Sequence, residues 1–432
     1  VLGLAARHHE TSRAAAKASK LVDPGRSLDT KTVAKPLWTA PLTEALVQIT
    51  GGGDTVVGVG AGGLRGYDRR TGHRTWGPLA NAADSQMAGM GGNPVAYADG
   101  TLYVLAKAGL GGSTARTMRA VDLATGRVRW TSTGPSGAFY VTTLVPGVLG
   151  DQVYVTGTLN AMSGAWARSA AGSAFAWAVD RASGKILWTR TDAGDDPNIG
   201  AGTARLMVPS SGTRVLWATS NPDRSSPKLS VLDTTASGKV LWEEPAPGGA
   251  QSVTTSALAD LTVTWYDGPH CYAGGHFLYL GDRLYALDPA TGQTVWRTQD
   301  SAVFFLALVA DPDGKTVYAA TRSYRTGTIT VYAFDSATGA VRWAGSVTVP
   351  RADTGVGLTA MQCADGTVYL WAAGSTWALD TADGKARWTY RFTGNSAQSA
   401  TAPVALWAGG GHLYGTTDNK LVAIGAGNST AS

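Results

Sequence analysis

The chain has 432 residues and a net charge of +5, with only 16% charged residues against 56 glycines and 15 tryptophans. That mix is poor in helix formers and rich in turn formers and flat aromatics, so it favours many short strands. Beyond residue 35 the body holds 29 basic and 28 acidic side chains, too even a balance for the basic stripe of a nucleic-acid binder. No apolar run reaches the ~18 residues that span a bilayer.

In chain order, Val1–Ala6 is apolar and gives way abruptly to Arg7, His8, His9 and Glu10. Residues 1–35 carry seven Lys/Arg and three Asp/Glu. They are expected to form a solvated basic tail or juxtamembrane linker. The apolar start reads as the end of a longer processed or anchoring segment, the only route to a membrane here.

From residue 36 the pattern changes. Residues 36–41, with Trp38, form a first short strand, and Asp54–Val57 a second. Asp68 then opens a nine-residue unit ending at Trp76, with Gly72 four residues before the Trp. The same unit runs from Asp122 to Trp130, Asp180 to Trp188, Asp288 to Trp296, Asp335 to Trp343 and Asp380 to Trp388, and with one extra residue from Asp233 to Trp242. In each, the Asp carboxylate can accept from backbone N–H groups two or three residues on. The Gly supplies the positive φ of a bulged hairpin. A Trp at a fixed place once per repeat reads as a wedge between neighbouring units, buried for its area.

An alternating strand precedes every Asp, for example 284–287, and another precedes that, such as 101–105, 152–155, 277–280, 316–319 and 367–370. Upstream again lies a short apolar run. Four strands per repeat make the blade of a propeller. The last unit, 420–425, has Gly425 where Asp should stand, and its missing outer strand is at the other terminus as the orphan Trp38 strand. Closing a ring with strands from both ends leaves no large open edge. The expected fold is therefore all-β, an eight-bladed β-propeller of four-stranded blades over residues 36–427. An N-terminal strand completes the last blade, and 428–432 form a short tail. The structural Trp set is Trp38, Trp76, Trp130, Trp188, Trp242, Trp296, Trp343 and Trp388.

The pattern Ala-x-Asp-x-x-Thr-Gly-x-x-x-Trp resembles the repeat of pyrroloquinoline-quinone-type propellers. That family includes quinoprotein alcohol dehydrogenases, the propeller lipoprotein of outer-membrane protein assembly, and extracellular sensor domains of bacterial membrane Ser/Thr kinases. The resemblance implies the fold and leaves the activity open. Its dehydrogenases add an adjacent-cysteine disulfide, a calcium site and a catalytic Asp. Here Cys271 and Cys363 are the only cysteines and lie far apart in sequence. They could pair with each other in an exported protein, but no CxxC is present for a metal knuckle, a thioredoxin-like pair or c-type haem. No cofactor is expected; pyrroloquinoline quinone with calcium is the alternative. The repeat aspartates are committed to turns.

His276 and His412 begin second strands and read as structural, whereas His270 has no counterpart in other blades. No nucleophile elbow, zinc-protease helix, EF-hand or phosphate loop occurs. A ligand should therefore sit at the channel mouth, where loops entering the innermost strands converge. Those loops carry Gln86, Tyr140, Asn198, Gln251, Phe305, Met361 and Gln398, with His270 beside them. This polar-neutral and aromatic set suits sugars, peptides or other uncharged ligands. No catalytic residue and no metal ligand is assigned. The reading is a monomeric, non-catalytic binding or sensor propeller, extracellular or in the cell envelope, with an unknown small ligand or protein partner. Its alternatives are an enzyme (a quinone-dependent dehydrogenase, or one acting on carbohydrates or natural products) and a protein-assembly scaffold.

Overall fold

The computed structural model describes residues 16–22, 24–80, 95–107, 116–133, 140–141, 147–160, 174–192, 204–209, 212–219, 228–247, 270–280, 283–299, 305–323, 326–349, 360–372, 374–392, 405–417 and 419–426. Among them the chain is built from strands gathered into eight sheets. Seven blades follow chain order, each meandering from an inner strand to an outer one. The inner strands of blades 1–7 are Leu46–Gly52, Val95–Ala98, Gly147–Leu149, Ala204–Met207, His270–Ala273, Phe305–Ala310 and Ala360–Ala364. Their outer strands are Arg74–Leu79, Val128–Thr133, Ile186–Asp192, Lys239–Pro245, Thr294–Thr298, Val341–Thr348 and Ala386–Arg391. Blade 8 runs Leu406–Gly409, His412–Thr417 and Lys420–Gly425, and its outer strand is Pro36–Pro41, with Trp38 opposite Ala423. The ring closes as its repeat pattern requires.

The core is distributed and not central. Eight buried clusters lie one at each blade–blade interface, each mixing second- and third-strand side chains of adjacent blades. This follows from alternation: a strand facing a neighbour on both sides buries both sets of its side chains. The second strand of blade 7, Thr367–Ala372, is accordingly buried at every position.

Trp, Gly and Asp form one device that crosses the interface. The indole N–H of Trp76 donates to the Leu123 carbonyl of the next blade at 2.9 Å, and Trp296 does the same to Ser336 at 2.9 Å. Trp38, Trp130, Trp242, Trp343 and Trp388 repeat the contact at the residue following the next turn's Asp, or following Gly425 in blade 8. Beneath the ring lies that turn's Gly. Gly126 has φ +69°, and a Cβ on it would stand 2.6 Å from the Trp76 ring. The glycine is thus required both for the turn and for the seat of the neighbouring tryptophan. Trp188 is the exception: its indole N–H is buried without an acceptor. The equivalent Thr234 carbonyl, in the turn with the extra residue, instead accepts from the Gln152 amide at 3.2 Å.

Residues 16–35 depart from the expected solvated tail. Lys17–Ser19 pairs in parallel with the outer strand of blade 5. Ser27 then bridges in parallel to Ser346 of blade 6, and Val33 to Thr389 of blade 7, before the chain enters blade 8. Three apolar side chains anchor this belt: Leu21 in the blade 5–6 core, Leu28 in the blade 6–7 core and Ala34 in the blade 7–8 core. Leu28 is fully buried and occupies the space above Gly345, where a Cβ would come within 2.4 Å of it. Burial of these side chains outweighs the solvation of the interspersed lysines, which remain at the surface. Residues 1–15 and 427–432 lie outside the described residues.

Candidate functional site

The two ends of the ring differ. One carries the tight turns that join first to second and third to fourth strands; the other carries the connections into each inner strand. Of the side chains expected at the latter mouth, Gln86, Asn198, Gln251 and Gln398 lie outside the described residues. Tyr140 is placed by its backbone, pairing with Asn160 on the inner edge of blade 3, and His270 opens the inner strand of blade 5 opposite Tyr279. Phe305 is different. It is 7% exposed and packs in the blade 5–6 core with Leu278, Leu280 and Val317, so the side chain serves the interface and is not offered to a ligand. Met361 is half-buried against the blade 6–7 core.

At the tight-turn end a cavity of about 850 Å³ opens across blades 3–6. It runs from Gly147 and Leu206–Pro209 near the axis, past Cys271–Gly275 of blade 5 and Ala310–Lys315 of blade 6, to Asp335–Ala337 and Arg342. Its floor is apolar and rich in glycine backbone, and its rim is charged. Lys315 lies 3.4 Å from Asp313, and Arg342 lies 2.8 Å from Asp335. Asp311 accepts from the Tyr318 hydroxyl at 3.2 Å. The first-to-second turns of blades 5 and 6, Gly274–Gly275 and Asp311–Gly314, line this groove. A Gly-Gly turn recurs at Gly410–Gly411 of blade 8, and only assembly of the ring sets the turns of blades 5 and 6 side by side.

The titratable groups are tuned for structure. Hydrogen bonds from the Thr71 hydroxyl and N–H hold Asp68 below the usual carboxylate range, Ser183 does the same for Asp180, and Arg129 followed by Thr125 does so for Asp122. In three blades an arginine just before the Trp adds to this, spanning the turn Asp and the first hydroxyl of the second strand. Arg342 reaches Asp335 and Thr316, each at 2.8 Å, and Arg129 and Arg387 repeat the geometry. No period marks this arginine, because Leu, Val or Thr fills the position in the other blades.

Desolvation pushes the Cys363 thiol up to about 12 and raises Cys271 as well, so neither is poised as a thiolate. The two are free thiols on the inner strands of blades 7 and 5, with blade 6 between them. The pairing entertained from the sequence is not formed. Burial lowers the His276 pKa, in keeping with a structural place at the start of its strand. Among the described residues no three His, Cys, Asp or Glu side chains converge as a metal would need.

A ring of eight blades, seven of the interfaces seated by a Trp on the next blade's turn glycine, with a groove at its tight-turn end, defines an eight-bladed β-propeller. More particularly, the family model described as outer membrane protein assembly factor BamB matches residues 27–130, 60–266 and 281–430, and the chain belongs to that family. Among solved structures, a computationally designed protein, Ika8, aligns with a TM-score of 0.58 at 15% identity, covering 90% of this chain and 99% of that one. BamB from Moraxella catarrhalis aligns with a TM-score of 0.52 at 17% identity, covering 91% and 100% respectively. At such identities these likenesses speak for the fold. No curated protein matches the chain.

Proposed function

We propose that the chain is a non-catalytic protein-binding scaffold of the cell envelope, acting in the assembly of other envelope proteins. The observation that carries this reading is the family match along nearly the whole ring. The chemistry of the groove supports it: an apolar, glycine-lined floor with a rim whose charges are already paired suits a docked polypeptide better than a reacting substrate. We propose no resident cofactor. The dehydrogenases that the repeats resemble use adjacent cysteines, whereas Cys271 and Cys363 are separated by a blade. A small-molecule role stays assigned to the opposite mouth, with Gln86, Tyr140, Asn198, Gln251, His270 and Gln398 as its contact candidates.

The test is site-specific photocrosslinking in the native envelope from Tyr272 in the groove and from Tyr140 at the other end. The expected result is a discrete crosslinked envelope protein from Tyr272. Alcohol-dependent dye reduction by the purified chain loaded with pyrroloquinoline quinone and calcium would overturn the reading, as would no discrete adduct from either position.

A further inference from the structure

The belt reveals a docking mode that the ring offers more than once. Ser346, three residues past Trp343, donates its N–H to Arg26 at 2.9 Å and accepts from Leu28 at 2.7 Å. Thr389, one residue past Trp388, does the same with Thr32 and Ala34, each at 2.9 Å. Gln299, three past Trp296, donates to Ser19 at 2.8 Å. Positions one and three after the Trp therefore turn their backbone groups outward at the rim, and in blades 5–7 the chain's own N-terminal segment takes them.

Blades 1–4 end at their outer strands, with no further strand beyond them among the described residues. Two of these edges are blunted. Blade 4 has Pro245 three residues past Trp242, so the N–H is missing there. Blade 1 is broken by register shifts on both sides of Gly66 and by Gly77 at φ +97°. Blades 2 and 3 lie between them and carry neither device. In both, the outer strand keeps the register of blade 7, placing Thr131 opposite Arg119 and Thr189 opposite Trp177 just as Thr389 stands opposite Trp377. The outward groups of blades 2 and 3 thus fall at Thr131, Thr133, Thr189 and Thr191.

Side chains around these edges state what would bind. Val128 and Leu187 are 41% and 45% exposed beside them. Trp130 is half-buried, whereas Trp188 at 8% exposed is as covered as the belted Trp343 at 9%. Arg127 and Lys185 are exposed on the same strands or their turns, and Arg190 lies over the Trp217 ring with its Nε buried and without an acceptor. The turn carboxylates Asp122 and Asp180 are engaged by Thr125 and Ser183; Asp192 ends the blade 3 strand. An unblunted pair of edges with exposed apolar side chains and cations invites an added strand.

We propose that the outer edges of blades 2 and 3 dock an extended, acidic and apolar segment of a partner protein. It adds in parallel as the chain's own belt adds to blades 5–7. The proposal rests on the scaffold reading above and names a surface for it.

The test uses the full chain and two labelled synthetic peptides read by fluorescence anisotropy. One has the sequence of residues 16–35; the other is the same peptide with Lys17, Lys20, Arg26, Lys31 and Lys35 replaced by Glu. The acidic peptide should saturate and bind at least about tenfold tighter than the basic one, as charge complementarity at an edge predicts. Thr131→Pro with Thr189→Pro, which removes two outward N–H groups, should weaken binding by about tenfold. Arg127→Glu with Lys185→Glu, which leaves the backbone untouched, should reverse the peptide preference.

Lack of saturation, or indifference to both pairs of substitutions, would overturn the proposal. Binding that frees the Leu28 and Ala34 amides to hydrogen exchange would also overturn it, because the peptide would then be replacing the belt. So would self-association of the chain that the proline pair abolishes, since the occupant would be a second copy. Crosslinking from Tyr272 is independent of these edges, so the scaffold reading can stand when this one falls.

Discussion

Leu28 and Gly345 are the sharpest place to test whether the belt is part of the fold's stability. Leu28 is fully buried between blades 6 and 7, and Gly345 leaves the space its side chain fills. Leu28→Ala removes that side chain from a packed interface and should cost about 2–4 kcal/mol. Gly345→Ala places a Cβ within 2.4 Å of Leu28. Its φ is not in the left-handed region, so the cost comes from crowding alone, about 1–3 kcal/mol. In the double variant the new methyl occupies part of the vacated space. The two changes should then be non-additive, with a favourable coupling of at least about 1 kcal/mol. Urea denaturation of the four proteins gives the cycle, and hydrogen exchange at Ser346 and Leu28 reports whether the belt itself has lifted. Additivity within about 0.5 kcal/mol, or a Leu28→Ala variant as stable as the parent, would refute the placement of Leu28.

Three further outcomes follow from the same geometry. Trp296→Phe loses an indole hydrogen bond to Ser336, whereas Trp188→Phe removes an N–H that has no acceptor; chemical denaturation should show the first to be costlier by about 1 kcal/mol. The turn carboxylates of Asp68, Asp122, Asp180, Asp335 and Asp380 all have folded pKa values lowered by hydrogen bonds. The stability they add is present above their unfolded pKa near ~4 and is lost as pH falls through the folded values. Melting temperature should therefore drop with acid below pH ~4, and Asp335→Asn should make that drop shallower. With the Cys363 thiol raised to about 12 and Cys271 raised too, both should resist iodoacetamide at neutral pH until denaturant is added, as intact-mass spectrometry would show.

The frame was legible because its strongest interactions are local or exactly repeated. The Asp turn is satisfied within three residues, and Trp recurs because each blade must seat itself on the next one's Gly. Both leave a periodic trace. Closure was legible for the same reason, since Trp38 is a repeat element out of place. The belt was not. Leu21, Leu28 and Ala34 are single apolar residues in a polar segment, with no period of their own. Their burial is dictated by edges about 280 to 360 residues away in sequence. A trace did exist in Gly345, a strand glycine without a turn to justify it. Phe305 misled because an aromatic at the start of an inner strand can face the axis or the neighbouring blade, and alternation alone does not say which. The groove joins four blades and has no signature in any one of them.

The belt and the closing strand also impose a schedule on synthesis. The belt from Lys17 to Ala34 meets its strand partners only in the second half of the chain, whereas Trp38 also reaches Arg69 of blade 1. Blade 5 must exist before Lys17–Ser19 can settle, blade 6 before Ser27, blade 7 before Val33, and Lys420–Gly425 before Trp38. The segment can fasten in one direction, in the order in which its partners leave the ribosome. Its last attachment waits for Lys420–Gly425. A truncated product therefore leaves its N-terminus loose, with three buried positions and a strand edge exposed to proteases and chaperones. The belt and the closing strand thus report on whether blades 5 to 8 were made.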